Sequence, residues 1–156
     1  MAATALDPMK GALSGEADSP YWLDYVLAFT TLRLALGINE LLHGVTRIFI
    51  GDLSAFLNAT QTQFQNTPLP VWQVRAFATA VPYCELVIGV LLLLGLWTRW
   101  ALVGAAVLML GIIFGTALRG DWQIVFLQMF YSVLYSAMLL WRRYDAWSLD
   151  AWMGRK

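Results

Sequence analysis

Charge is what this sequence has least of. Ten Lys and Arg with ten Asp and Glu make up only 13% of 156 residues, against about 25% in soluble domains. The two signs cancel to a formal net charge of zero, so no basic field points to nucleic acid as a partner. There is one cysteine, Cys84, which excludes an intramolecular disulfide and a thiolate metal site. Cys84 itself reads as a small core residue. There is one histidine, His43. Glu40-Leu-Leu-His43 is an ExxH motif, but a di-iron bundle needs two such motifs and two more carboxylates. No metal site is therefore expected, and only a lone His ligand to haem or chlorophyll stays open. Residues 1–20 lack the apolar stretch of a secretory signal and read as a flexible polar tail.

What replaces the missing charge is apolar surface. Hydrophobic residues make up 60% of the chain and mean hydropathy is +0.63. Crossing a bilayer takes roughly 20 apolar residues, and four runs qualify, at about 22–49, 71–96, 100–118 and 122–142. The predicted fold is all-α: an integral membrane four-helix bundle within residues 21–144, followed by a short C-terminal tail at 145–156. Thr98-Arg99 and Arg119-Gly120-Asp121 are short connections, as antiparallel neighbours require, so the order is up-down-up-down. Residues 50–70 are longer and place Leu53, Phe56, Leu57 and Phe64 near helical spacing, which predicts an amphipathic segment lying on the membrane surface.

Tyr21, Trp22, Trp97, Trp100, Trp141, Tyr144 and Trp147 cluster at one set of span ends, and Trp72 and Trp122 at the other, as interface belts do. Lys10, Arg99, Arg142, Arg143, Arg155 and Lys156 fall on the side of both termini. The positive-inside bias therefore predicts cytoplasmic termini. In the third run Gly111-Ile-Ile-Phe-Gly115 allows close helix approach, which is expected to serve packing inside the bundle more than a homo-oligomer.

The few charges are concentrated in an unexpected place. Arg33, Glu40 and Arg47 recur every seven residues in the first run, so they drift only about 20° per step around a helix. His43 falls on the same broad face, with Gly37 and Gly44 beside it. Ionisable groups at membrane depth cost several kcal/mol and rarely face lipid, so this face is expected to point inward. With rises counted from Phe49 and Trp72, Arg47 and Arg75 lie at the outer rim, His43 roughly 9 Å deep and Glu40 roughly 13 Å. Glu85 and Arg33 come out near 20 and 24 Å, which suggests an Arg33–Glu85 pair below an upper cavity. Two readings follow: pairs that merely lock the first two spans together, or the wall of a ligand or proton-relay site. In the fourth run Tyr131 and Tyr135 share a face, with Gln123 and Gln128 nearby.

Three stretches carry a family likeness. Arg33-Leu-Ala-Leu-Gly37 with His43-Gly44-Val-Thr-Arg47, Glu85-Leu-Val-Ile-Gly89, and Leu94-Gly95-Leu96-Trp97-Thr98-Arg99 resemble the DoxX/DoxD family of small four-helix membrane proteins. The likeness spans roughly residues 25–140. It implies redox work at the membrane, because DoxD-like proteins form the membrane subunit of a thiosulfate:quinone oxidoreductase and DoxX-like proteins are linked to thiol and oxidative-stress systems.

The expectation is a membrane subunit of a quinone-linked redox system, in a bacterial inner membrane, with quinone as the implied cofactor. Glu40, His43 and Glu85 are the candidate catalytic residues, able to donate or relay protons. Arg33, Arg47 and Arg75 are the candidates for binding substrate and stabilising a developing anion. No motif for an electron-carrying cofactor is visible, so a protein partner subunit is expected to supply or receive electrons. The alternative is a non-catalytic accessory subunit of a respiratory or photosynthetic complex. A small carrier ranks last, because no inverted repeat or broken-helix pair is evident.

Overall fold

A computed structural model describes residues 20–154; the tail expected over residues 1–20 falls outside it except for Pro20, as do Arg155 and Lys156. The described residues form helices and turns with no strand. Helix α1 spans Trp22–Val45 and continues as a π-helical turn over Thr46–Ile50. Helix α2 spans Leu53–Gln63, α3 Val71–Leu94, α4 Thr98–Leu118 and α5 Trp122–Leu140. A 3₁₀ turn at Arg142–Tyr144 and a short helix α6 at Leu149–Trp152 follow. Four of these helices, α1 with its extension, α3, α4 and α5, are long and apolar enough to cross a membrane. The protein is an integral membrane four-helix bundle.

Local chemistry sets the helix ends. The Thr46 hydroxyl donates to the carbonyls of Leu42 and His43 at 2.7 and 3.1 Å, competing for the acceptors of the helical ladder, and α1 widens into its π turn there. Asp52 caps α2, accepting from the Ser54 amide at 2.8 Å. The Ser54 hydroxyl, which donates to it at 2.7 Å, and the Ser54 amide hold its exposed carboxyl below its ordinary range. Helix α3 closes through Gly95 at φ +62, with the Leu96 amide donating to the Leu91 carbonyl at 2.9 Å and the Gly95 amide to Leu92 at 3.2 Å. This is the paired bonding of a Schellman ending, which favours glycine.

The bundle is built from two tight pairs. α1 packs along α3, and α4 along α5, while α1 and α5 scarcely meet. Glycine makes the first pair possible. A Cβ on Gly89 would stand 2.4 Å from the Leu41 amide nitrogen, and one on Gly44 2.7 Å from both the Leu86 nitrogen and the Pro82 carbonyl. The backbones of α1 and α3 therefore touch, the arrangement by which small residues bind membrane helices. Gly111 and Gly115 also pack internally, but against aromatic rings: Phe77 of α3 and Phe64 beyond α2.

The core lies between the two pairs, centred on Leu92, Leu102, Tyr135 and Met138, all fully buried. Tyr144 departs from the interface belt expected of it. It is buried, with its ring stacked on Tyr25 at 4.8 Å. Cys84, expected in the core, is exposed on the outer surface of α3.

Candidate functional site

The glycine contacts fix how α1 and α3 stand side by side. Gly44 lies against Pro82 and Leu86, Gly37 against Leu93, and the Arg33 side chain against Gly95. Glu85 is thus level with the Gly44 turn, and Arg33 is far below it. The Arg33–Glu85 pair expected from equal counting does not form. The reason is stagger: the first turns of α3 run past the end of α1 and pack on α2 instead.

Arg33 is buried at the end of the bundle that carries Trp22 and Tyr144. Its guanidinium donates to the carbonyls of Leu92, Leu93 and Trp147 at 2.5, 3.2 and 2.7 Å. Its Nε lies 3.4 Å from Asp145. Burial holds the Asp145 carboxyl above its ordinary range, against the opposing pull of Thr98, Arg33 and Ser148. Asp150 closes the same corner by accepting from the Trp97 and Thr98 amides at 2.9 and 2.7 Å. It caps α4 from a remote part of the chain. Trp97 adopts a left-handed backbone, φ +47, rare for a bulky residue, and this clamp holds it there.

The inner cluster sits higher. Arg47, on the π turn, reaches inward and pairs with both oxygens of buried Glu85. Glu40, also buried, accepts a hydrogen bond from the Tyr135 hydroxyl of α5. Glu85 is near enough for its charge to act on Glu40. Arg47, Glu85, Glu40 and Tyr135 thus form one polar group across three helices. His43 and Arg75 are exposed on α1 and α3, His43 still near enough for its charge to act on Glu40.

Beside this cluster lies a cavity of about 370 Å³. It is bounded by α2, the first half of α3, the end of α4 and the start of α5. Phe56, Phe77 and Val81 make much of its apolar wall, and Arg47, Arg119, Thr116 and Gln128 are its polar members. Arg47 stacks over Phe56 at 4.9 Å and Arg119 over Phe64 at 5.3 Å, so two cation–π contacts pin α2 over the opening. Arg119 also donates to Gln63 of α2. Gln128 spends its amide nitrogen on the Thr116 hydroxyl at 3.0 Å. Its Oε1 and the Arg119 Nε are buried without a partner among the described residues. Buried polar atoms normally find partners, and both of these belong to residues of the cavity wall.

Arg47 is the one sequence-predicted residue that belongs to both the cluster and the cavity. Sequence reasoning missed the part of Asp145 and Asp150, which lie past the last apolar run. It placed Tyr135 on a shared face with Tyr131 without identifying its partner. It placed Arg119 only in the short connection between the third and fourth runs.

A family model described as DoxX matches residues 28–117. That stretch takes in most of α1, all of α2 and α3, and nearly all of α4. No curated protein and no solved structure matches the chain.

Proposed function

The chain belongs to the DoxX family, and on that premise we propose that it is the membrane subunit of a quinone-linked redox system, with the cavity under α2 as its quinone site. The family is a membrane family associated with such systems. The observation that carries the reading is Arg47: one side chain lines the cavity and holds the buried carboxylate Glu85.

The donor set suits a flat ring with polar edges. Phe56, Phe77 and Val81 offer apolar contact, Arg47 offers guanidinium donors on one side, and Arg119 and Gln128 stand elsewhere in the wall. A bound quinone supplies two-electron, two-proton chemistry there, with electrons exchanged through a partner subunit that oxidises a sulfur compound such as a thiol or thiosulfate. Arg47 orients a ring oxygen and meets negative charge at it. Glu85 holds Arg47 in place. Glu40 and Tyr135 carry a hydrogen-bonded proton deeper in the bundle, within reach of Glu85's charge. α2 screens the site from water. On this reading the subunit sits in a bacterial cytoplasmic membrane, with both termini on the cytoplasmic side.

The test uses the full chain in lipid nanodiscs with a photoreactive azidoquinone. Labelling is expected in residues 56–81 and 111–128, and Gln128→Leu should weaken it. In the native complex Glu40→Gln should lower quinone turnover about a hundredfold while labelling persists, and Glu85→Gln, which releases Arg47, should lower turnover and weaken labelling. Label spread evenly over the outer helix faces, with turnover unchanged in both variants, sinks the assignment and favours an accessory subunit.

A further inference from the structure

The cavity under α2 does not end inside the bundle. Phe77 of α3 and Phe114 of α4 line it, yet they are 42% and 59% exposed. Both helices are membrane spans, so at these two rings the cavity meets the bilayer. Gly111 thins the rim between them. A Cβ there would stand 2.8 Å from the Phe77 ring, so the ring rests where a side chain of α4 would otherwise be. Ile124 is the other exposed apolar residue of the lining. It stands only about 3 Å from Trp122 along α5, at the level of the interface belt and not within the hydrocarbon.

Inward from the two rings runs the seam between α3 and α4. These helices meet less closely than either tight pair. At Gly104 an added Cβ would find nothing nearer than an Ile88 methyl at 3.8 Å. Cys84 follows Phe77 by seven residues, so it lies on nearly the same strip of α3, and it too is exposed. Leu110 and Val107 continue the strip of Phe114 along α4, and both are exposed. From the cavity to the level of Cys84, about 10 Å, the seam is uncharged and lipid-facing.

Cavity and seam together are polar at one end and apolar at the other. The polar members of the cavity come from the α1 extension, the end of α4 and α5, whereas the rim at Phe77 and Phe114 is apolar. A volume of about 370 Å³ lies near the bottom of the range that encloses a drug-sized molecule, roughly 300–1,000 Å³. It has room for a substituted ring, and none for a long chain besides. A ligand with such a chain must let it out, and the seam is the apolar way out.

Resting on the quinone reading above, we propose that the site takes a long-tailed, lipid-soluble quinone. Its tail leaves between Phe77 and Phe114 and lies in the α3–α4 seam past Cys84, and the ligand enters from the bilayer by the same path. The test uses the full chain in lipid nanodiscs and two photoreactive quinones. One carries an azide on the ring, the other a diazirine about 10 Å out along an isoprenoid tail. The ring probe is expected in residues 56–81 and 111–128, and the tail probe in residues 84–91 and 103–110. Cys84→Trp adds bulk to the seam from an exposed position and should lose the tail label while the ring label persists. Ring label in the cavity with tail label around Ile124, or spread evenly over the outer faces of all four spans, overturns the tail path and leaves the quinone site standing. Tail label unchanged in Cys84→Trp overturns the path as well. Ring label outside the cavity overturns the quinone reading, and this inference with it.

Discussion

The Tyr135 hydroxyl of α5 donates to the Glu40 carboxylate of α1, across two helices that otherwise scarcely meet. It ties the α1–α3 pair to the α4–α5 pair at the level of the polar cluster. Deleting one partner of a buried bond to a charged group leaves the other unsatisfied, at about 1–3 kcal/mol. Tyr135→Phe is therefore expected to destabilise the bundle by that amount. Chemical unfolding in detergent micelles reads the loss; an unchanged midpoint would mean that the bond does not hold the pairs together.

Arg47 and Glu85 make the second prediction. Breaking a buried pair from one side costs about 3–5 kcal/mol, whereas replacing both partners by apolar residues is often neutral. Arg47→Met should be severely destabilised, and Arg47→Met with Glu85→Leu should recover most of the loss. Unfolding midpoints of wild type, both single variants and the double variant close the cycle. Additive losses would contradict a coupled pair.

The α1–α3 contact predicts a sharp contrast between glycines. Gly89→Ala forces a methyl against the Leu41 backbone, where it would stand at 2.4 Å, and should separate the helices and abolish a monodisperse peak in size-exclusion chromatography. At Gly104 the nearest atom to an added Cβ is an Ile88 methyl at 3.8 Å, an ordinary contact. Gly104→Ala should elute as wild type. Equal behaviour of the two variants would refute the close approach.

Asp145 gives a pH dependence of definite sign. In the unfolded chain it titrates near its ordinary value of 3.8, and in the fold burial raises that value. Between the two, the folded state keeps a proton that the unfolded chain has shed, so stability falls as pH rises through this window and levels off above it. Asp145→Asn should flatten that slope. Thermal unfolding from pH 3 upward measures it, and an identical slope in the variant would exclude Asp145 as its source.

Much of this architecture was legible without coordinates. Runs such as 100–118 and 122–142 are too long and too apolar for anything but a span, and the seven-residue spacing of Arg33, Glu40 and Arg47 placed those groups on one face of α1. The pairing was not legible, because it depends on the stagger of α1 against α3. That stagger follows from backbone contact at Gly44 and Gly89, and no count from the helix ends reveals it. His43 is exposed because that broad polar face is wider than the interior it meets. Tyr135 looked like its neighbour Tyr131 until Glu40 was seen opposite. Asp145 and Asp150 escaped notice because their work is done for distant parts of the chain, Arg33 and the α4 N-terminus.

The Asp150 cap has a consequence for how the molecule is made. The first amides of α4 are satisfied by a residue synthesised some 50 positions later. When α4 emerges from the ribosome and enters the membrane, its leading end has no cap, and Arg33 still lacks Asp145 and the Trp147 carbonyl. This corner of the bundle can close only after α5 has been inserted and the segment behind it has folded back. The segment 145–150 therefore completes the fold: a nascent protein stalled before residue 145 holds all four spans but not the finished corner.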